Sequence, residues 1–366
     1  MFEAILKNEE KAILTLRSLY RSYGYLPFKM SKFEEYELYV RNKDFLISDG
    51  IITFNDTNGS LLALKPDVTL SIVKNAVDRV GCKQKFCYDE NVYRISGSTH
   101  RYKELMQAGL ECIGDIDLYD ISEVVTLAAK SLSLLSDDCI LAVSHLGILS
   151  AVLDSIAFPA NARSELTGLF AEKNSHELSL LCEREGVSAE STALLCELTK
   201  VYGDADSALK AIETLCGAVA GEAIAELRAL TDIISATEHA GCVRIDMSLV
   251  SDSDYYNGFV FKGFLSGICE SVLTGGQYGK LLRRMGRRSD AIGFAIYLDR
   301  LEGLDREANE WDVDALLLYG EDTNTSAVAK KTAELVSQGL SVSAQKAIPP
   351  KLRYRTLIKL EGGSEE

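Results

Sequence analysis

A stretch of helical periodicity at 146–240 divides the chain into two regions that are rich in strand-like runs. The strand-like runs are found at 44–54, 61–64, 84–95, 104–113, 139–144, 243–247, 255–264 and 267–273. Further helical patterns occupy 5–23, 68–78 and 120–135. Strands that come in groups, rather than each followed by a helix, favour an antiparallel sheet with packed helices. The sequence therefore predicts an α+β fold.

The same order predicts three parts. We expect a core formed by 1–145 and 241–308, a helical insertion at 146–240, and a shortened α/β tail at 309–366. The insertion contains six basic and fifteen acidic residues, so its charge of −9 is more than half of the chain's net charge of −15. The tail is predicted to run strand, helix, strand, Pro-Pro loop and a last strand over 312–363.

Composition narrows the function classes. Nucleic-acid binders need a basic face to neutralise phosphates, so a net charge of −15 argues against a nucleic-acid partner. The nine cysteines stand singly, without a C-x-x-C pair, as expected for buried thiols in a reducing compartment. The first residues lack the apolar stretch of a signal peptide. We expect a cytoplasmic protein with no membrane association, no metal site and no cofactor.

Five segments carry a specific resemblance. They are Leu-Lys-Pro-Asp-Val-Thr at 64–69, Val-Tyr-Arg at 92–94 continuing to 111, Leu-Val-Ser-Asp-Ser-Asp-Tyr-Tyr at 249–256, Gly-Gly-Gln-Tyr at 275–278, and 292–301. Together and in this order they resemble the histidyl branch of the class II aminoacyl-tRNA synthetases. The resemblance implies a class II antiparallel sheet with flanking helices, a helical insertion and a C-terminal remnant of an anticodon-binding domain.

The resemblance also implies a histidine pocket. The positions that match it are Asp67, Thr69, Gln107, Glu111, Tyr255 and Tyr256. Two carboxylates suit an α-ammonium or an imidazolium group, and tyrosine hydroxyls can orient an imidazole nitrogen. Neighbouring strand residues face opposite sides, so we expect Tyr256 rather than Tyr255 to enter the pocket. The alternative is an inherited polar cluster that binds no ligand.

The nucleotide-binding positions depart from the family. Ser251 stands where the synthetases have a second arginine, and a serine supplies neither the charge nor the bidentate geometry of a guanidinium. Tyr297 replaces a small glycine. Arg94 and Arg300 are kept as candidate phosphate- or anion-binding residues, with structural ion pairs as the alternative. We therefore expect adenylation to be lost, and we assign no catalytic residue.

These departures resemble those of the regulatory subunits of ATP phosphoribosyltransferase, which are paralogues of histidyl-tRNA synthetase. The resemblance implies a homodimer through the core and a hetero-octamer with the short-form catalytic subunit, four of each chain. It implies a non-catalytic role in the first step of histidine biosynthesis and its feedback control by L-histidine. The alternatives are a histidyl-tRNA synthetase, a relative that adenylates histidine for another acceptor, and a free-standing histidine sensor.

A basic cluster follows the Gly-Gly-Gln-Tyr segment. Its members are Lys280, Arg283, Arg284, Arg287 and Arg288. Charge runs of this kind are commonly solvated loops. The other interpretation is a docking patch for the catalytic subunit or for a phosphate ligand.

Overall fold

The computed structural model describes residues 6, 8–42, 50–79, 81–96, 99–250, 255–304 and 311–360. The chain divides into a larger compact unit, Lys7–Leu304, and a smaller one whose described residues are 6 and 311–360. Among the described helices, none combines the length and the apolar character needed to cross a membrane.

The larger unit is a mixture of helices and strands. The helices are α1 (Asn8–Ser22), α2 (Tyr36–Arg41), α3 (Thr69–Asn75), α4 (Leu118–Leu135), α5 (Leu146–Ser155), α6 (Arg163–Ala171), α7 (Ser175–Arg184), α8 (Ala189–Leu198), α9 (Ala205–Ser235) and α10 (Gly279–Arg284). The strands are β1 (Leu26–Pro27), β2 (Phe33–Glu35), β3 (Thr53–Asn55), β4 (Leu61–Leu64), β5 (Lys83–Ile95), β6 (Tyr102–Gly114), β7 (Cys139–His145), β8 (Tyr202–Gly203), β9 (Val243–Asp246), β10 (Phe259–Leu265), β11 (Leu273–Gln277) and β12 (Asp290–Tyr297). Short 3-10 helices lie at Ala160–Ala162, Ala240–Cys242 and Leu298–Leu304.

Within the described residues, nine strands form the main sheet in the order β1-β5-β6-β12-β11-β10-β7-β9-β8. Its middle, from β5 to β7, is antiparallel throughout, whereas the β1–β5 and β7–β9 pairs are parallel. A second, antiparallel sheet has the order β2-β4-β3. The predicted α+β class with an antiparallel sheet is confirmed.

The pairing of β6 with β12 fixes which side chains share a face. Glu111 lies opposite Gly293, and Gln107 lies opposite Tyr297, so these positions lie on one face of the sheet. Phe294 points to the other face, where its ring packs edge-on against Tyr20 of α1 with centroids 5.9 Å apart. Helices therefore cover one face of the sheet centre, and the other is left for polar side chains.

The helical stretch between β7 and β9 consists of α5 to α9. His145, the last residue of β7, caps α5 by accepting a hydrogen bond at Nδ1 from the Gly147 backbone N–H, at 3.2 Å. Its Nε2 lies 3.0 Å from the Glu226 carboxylate on α9. The 31-residue α9 carries non-helical backbone angles at Cys216 and Ala220. The assignment of 146–240 as a separate insertion domain stays a prediction.

Several predicted boundaries were wrong. The run at 255–264 becomes a strand only from Phe259, because Tyr255 and Tyr256 lie in a turn that precedes β10. The run at 267–273 is mostly the connection between two strands: Gly267 has a positive φ of 86°, and β11 begins at Leu273. The predicted strand at 44–54 is reduced to β3, with 43–49 outside the described residues.

The smaller unit contains β13 (Val313–Tyr319), α11 (Thr325–Ser337), β14 (Val342–Gln345) and β15 (Tyr354–Leu360). Its parallel sheet has the order β14-β13-β15. This order of strand, helix, strand and strand agrees with the prediction for the tail. Ala315, Leu316 and Leu317 are consecutive and all buried, so both faces of the central strand are covered.

A buried ion pair fixes the segment that precedes α3. Lys65 is fully buried, and its ammonium lies 2.5 Å from the Glu90 carboxylate of β5. The Lys65 backbone carbonyl also accepts a hydrogen bond from the Tyr93 N–H, at 2.9 Å. This side chain and this carbonyl together tie the chain at 65 to β5.

Loss of the two charges should have unequal effects. Glu90→Gln leaves a buried ammonium without a counter-ion, and we expect it to lower the free energy of unfolding by about 3 kcal/mol. Lys65→Met leaves a carboxylate that is 18% exposed and can rehydrate, so we expect a loss of about 1 kcal/mol. Urea unfolding followed by far-ultraviolet circular dichroism measures both. Equal losses would contradict the prediction.

Candidate functional site

A cavity lies on the polar face of the sheet centre. Its empty volume is about 410 Å³, including the mouth. It is lined by Asp67, Val68, Thr69, Tyr88, Arg94, Gln107, Glu111, Tyr255, Tyr256, Thr274, Tyr278, Gly293, Phe294, Ala295 and Tyr297. All six residues that the sequence places in a histidine pocket are on this wall, together with Arg94. Arg300 is not.

Glu111 is the centre of this pocket. Its side chain is buried, and its two oxygens each accept one hydrogen bond: Oε1 from the Thr69 hydroxyl at 2.7 Å, and Oε2 from the Tyr278 hydroxyl at 2.5 Å. The carboxylate lies directly over Gly293 of β12, where a Cβ atom would come within 1.7 Å of Oε2. Position 293 therefore has to be glycine for Glu111 to take this place.

Burial raises the pKa of the Glu111 carboxyl to about 8, although the hydrogen bonds from Tyr278 and Thr69 lower it. Burial likewise raises the pKa of Asp67, against the lowering effects of the Leu70 N–H and the Arg94 charge. The folded chain thus holds a proton on Glu111 that the unfolded chain has released above about pH 4.3. This group therefore makes folding less favourable as the pH rises from about 4.3 towards 8.

Asp67 and Thr69 are positioned by the N-terminus of α3. The Asp67 carboxylate accepts a hydrogen bond from the Leu70 N–H, at 2.9 Å, and so caps the first turn. Arg94 of β5 donates from Nε to the Pro66 carbonyl, at 2.9 Å, which fixes its guanidinium beside this turn. The pocket thus contains two buried carboxyl groups and one arginine at its edge.

Both tyrosines of the Tyr-Tyr pair line the pocket, and the expectation that only Tyr256 would do so was wrong. The two residues lie in a turn rather than in a strand, so strand alternation does not apply to them. Their ring centroids are 4.7 Å apart, and Tyr255 is 5.9 Å from Tyr278. Gly276 makes room for the Tyr256 ring, because a Cβ atom there would lie 2.7 Å from it.

Two lining tyrosines were absent from the predicted site. Tyr278 ends the Gly-Gly-Gln-Tyr segment, so the motif itself was the signal that could have found it. Tyr88 lies on β5 opposite Gly109, and only the strand register reveals that its side chain reaches the pocket. Burial raises the pKa of both hydroxyls well above the ordinary value for tyrosine, so both remain protonated donors.

Arg300 lies in a second cavity, an open groove beside the pocket. Its Nη2 is 3.1 Å from the Glu270 carboxylate, Nη1 donates to the Ser271 carbonyl, and the guanidinium stacks 4.4 Å above the Tyr297 ring. The groove has an empty volume of about 1140 Å³ including open solvent. It is lined by Arg94, Lys103, Leu105, Gly267, Ile268, Cys269, Glu270, Tyr297, Asp299 and Arg300.

Of the other residues in the five motif segments, Gln277 has a structural role and Ser251 is not described by the structure. The Gln277 side-chain oxygen accepts a hydrogen bond from the Phe259 N–H, at 2.8 Å, and thereby joins two strand ends. Ser251 lies outside the described residues. Within the part of the chain that the structure describes, no group of three or more histidine, cysteine, aspartate or glutamate side chains could hold a metal ion.

The basic cluster holds part of the fold together. The Arg287 guanidinium donates to the backbone carbonyls of Ala76 and Lys74, the latter at 2.9 Å, and so caps the C-terminus of α3. Asp78 accepts hydrogen bonds from the backbone N–H groups of Arg288 and Ser289. Arg287 is thus a structural residue, whereas the docking interpretation of the cluster stays a prediction.

Comparison with known proteins shows which proteins this chain is similar to. The family model for histidyl-tRNA synthetase matches residues 3–301. An ATP phosphoribosyltransferase regulatory subunit from Clostridium kluyveri is 27% identical over 339 residues, which cover 89% of this chain and 86% of the relative. This similarity confirms the predicted resemblance to that group of regulatory subunits.

Two solved structures share the fold. One, an ATP phosphoribosyltransferase regulatory subunit/histidyl-tRNA synthetase from Bacillus halodurans, has a TM-score of 0.78 at 22% identity and covers 96% of this chain and 93% of its own. The other, from the ATP phosphoribosyl transferase (HisG:HisZ) complex of Thermotoga maritima, has a TM-score of 0.63 at 19% identity, covering 79% and 97%. With a family model that matches most of its length, the chain belongs to the histidyl-tRNA synthetase family.

Proposed function

We propose that this chain is the non-catalytic regulatory subunit of an ATP phosphoribosyltransferase and binds L-histidine in the pocket around Glu111. The observation that carries the proposal is the contrast between the pocket and the neighbouring groove. The amino-acid pocket keeps its polar groups, while Arg300 of the neighbouring groove is already paired with Glu270, hydrogen-bonded to the Ser271 carbonyl and stacked on Tyr297. The similarity to regulatory subunits over most of both chains supports the same role.

The pocket suits an amino acid that carries a second basic group. Asp67 and Glu111 offer two buried carboxyl groups, whose ionised forms an ammonium or imidazolium group would favour. The hydroxyls of Tyr255, Tyr256 and Tyr278 can orient an imidazole nitrogen. Arg94 stands at the edge, where it can receive the carboxylate of the same ligand.

The groove does not suit adenylate formation. Negative charge that develops on a phosphate has to be met by preorganised cations. The Arg300 guanidinium donates to the Ser271 carbonyl and stacks on the Tyr297 ring, so it is oriented by the protein and does not point into open space. We therefore keep Arg94 as an anion-binding residue. For Arg300 we propose no phosphate-binding role, because it holds the Tyr297 ring instead.

A regulatory subunit needs a partner, and the Thermotoga maritima complex supports one. We propose that this chain assembles with a short-form catalytic subunit as a hetero-octamer, four of each, on a homodimer of the larger unit. Feedback then requires that histidine bind two states of the assembly with different affinities. Coupling of this kind is typically worth about 1–3 kcal/mol.

Reconstitution tests the proposed role. Mixing the purified chain with the short-form phosphoribosyltransferase from the same source should raise the rate of product formation, and histidine should reverse the gain. Light scattering after size-exclusion chromatography gives the stoichiometry. The catalytic subunit alone is the control. A histidine-dependent ATP–pyrophosphate exchange activity in the isolated chain, with no effect on the partner, would instead identify an adenylating enzyme.

Histidine binding should release protons near pH 7. Glu111, with a pKa raised to about 8, is largely protonated in the free pocket, and a cationic ligand favours its ionised form. Affinity should therefore rise from pH 6 to 8. Isothermal titration in two buffers of different ionisation enthalpy measures the released protons.

Glu111→Gln should abolish most of this proton release and weaken binding by about tenfold or more, because a charged hydrogen-bond acceptor is lost. Glu123→Gln is the matched control: Glu123 is also buried, but it pairs with Lys85 outside the pocket. Equal proton release in the Glu111 variant and the wild type would contradict the assignment.

A further inference from the structure

The buried pocket and the open groove share two side chains, Arg94 and Tyr297. On the pocket side, Glu111 is 2% exposed and Asp67 is 6% exposed, so both carboxyl groups lie deep in the pocket. On the groove side, the cavity is wide and continuous with solvent. The two shared side chains therefore form part of the wall between the groove and the pocket.

The two side chains are held in different ways. Arg94 is fixed to the main chain through the Pro66 carbonyl. Tyr297 ends β12, where its N–H donates to the Val272 carbonyl at 2.9 Å, so its backbone is fixed and its ring is free to turn only about the side-chain bonds. What covers the ring on the groove side is the guanidinium of Arg300.

Arg300 is in turn held by the connection between β10 and β11. The Glu270 carboxylate that pairs with it is 71% exposed. Exposed ion pairs are weak, because water and salt compete for both charges. Arg300 also donates to the Ser271 carbonyl, so the Glu270 pair is the weaker of the two contacts that hold the guanidinium over the Tyr297 ring.

We propose that Tyr297 is a gate between the groove and the pocket, held shut by Arg300 and Glu270, through which the ligand of the pocket enters and leaves. The inference rests on the proposed function, since the ligand is the histidine assigned to the pocket. Because the gate closes again behind the ligand, the Arg300–Glu270 contact is present in both the free and the bound chain. The contact therefore affects the rate constants of binding and release. It contributes equally to the free and the bound state, so it leaves the Kd unchanged.

Glu270→Gln tests the gate without touching the pocket wall. In the full chain, we expect the association and dissociation rate constants for L-histidine to rise together, each by about threefold, with the Kd unchanged. Stopped-flow tyrosine fluorescence gives the rates, and isothermal titration gives the Kd. Glu213→Gln, which breaks an exposed ion pair with Arg228 on α9, is the matched control and should change neither rate.

Two variants of the gate residue complete the test. Tyr297→Phe keeps the ring and should leave both rates as in the wild type, whereas Tyr297→Ala removes the gate and should raise the association rate further. Unchanged association rates in both Glu270→Gln and Tyr297→Ala, with histidine bound normally, would overturn the gate alone. Absence of histidine binding to the wild-type chain would overturn the histidine site of the proposed function, and the gate with it.

Discussion

The pocket is organised around one buried carboxyl group, that of Glu111. It lies in the middle of an antiparallel sheet, over a glycine, and its two oxygens are satisfied by Thr69 and Tyr278 from two other parts of the chain. An acid in this position costs stability, because burial disfavours its charged form. Buried acids with raised pKa values are found mainly at functional sites. A cationic ligand that pairs with the ionised Glu111 carboxylate would offset this cost in stability.

Three arginines of the larger unit show how the contacts of the fold limit phosphate chemistry. Arg300 is paired with Glu270, and Arg287 caps the C-terminus of α3. Arg94 is bonded to a carbonyl beside Asp67. Catalysis of phosphate chemistry needs preorganised cations that face the negative charge developing in the transition state. Here Arg287 and Arg300 serve the folded structure instead, and Arg94 remains beside the pocket for the ligand carboxylate that we propose.

Long elements with strong periodicity could be predicted from the sequence, and short connections could not. The pair β5 and β6 was predicted to within two residues at every end, because each strand is thirteen residues long and carries a sustained pattern. The turn at Tyr255 and Tyr256 was taken for a strand, since apolar and aromatic residues look alike in both settings. The order of the motifs identified the pocket residues, whereas Tyr88 enters it only through a strand register that no local pattern encodes.

Regulation places a lighter demand on this pocket than catalysis does. An enzyme has to bind its transition state more tightly than its substrate, and this requires fixed groups around the reacting atoms. A regulator needs only two states with different affinities for one ligand. A pocket whose central acid changes between a protonated, empty form and an ionised, occupied form already has two states in its electrostatics. In the site that we propose, Glu111 can therefore serve a switch with no new residue required.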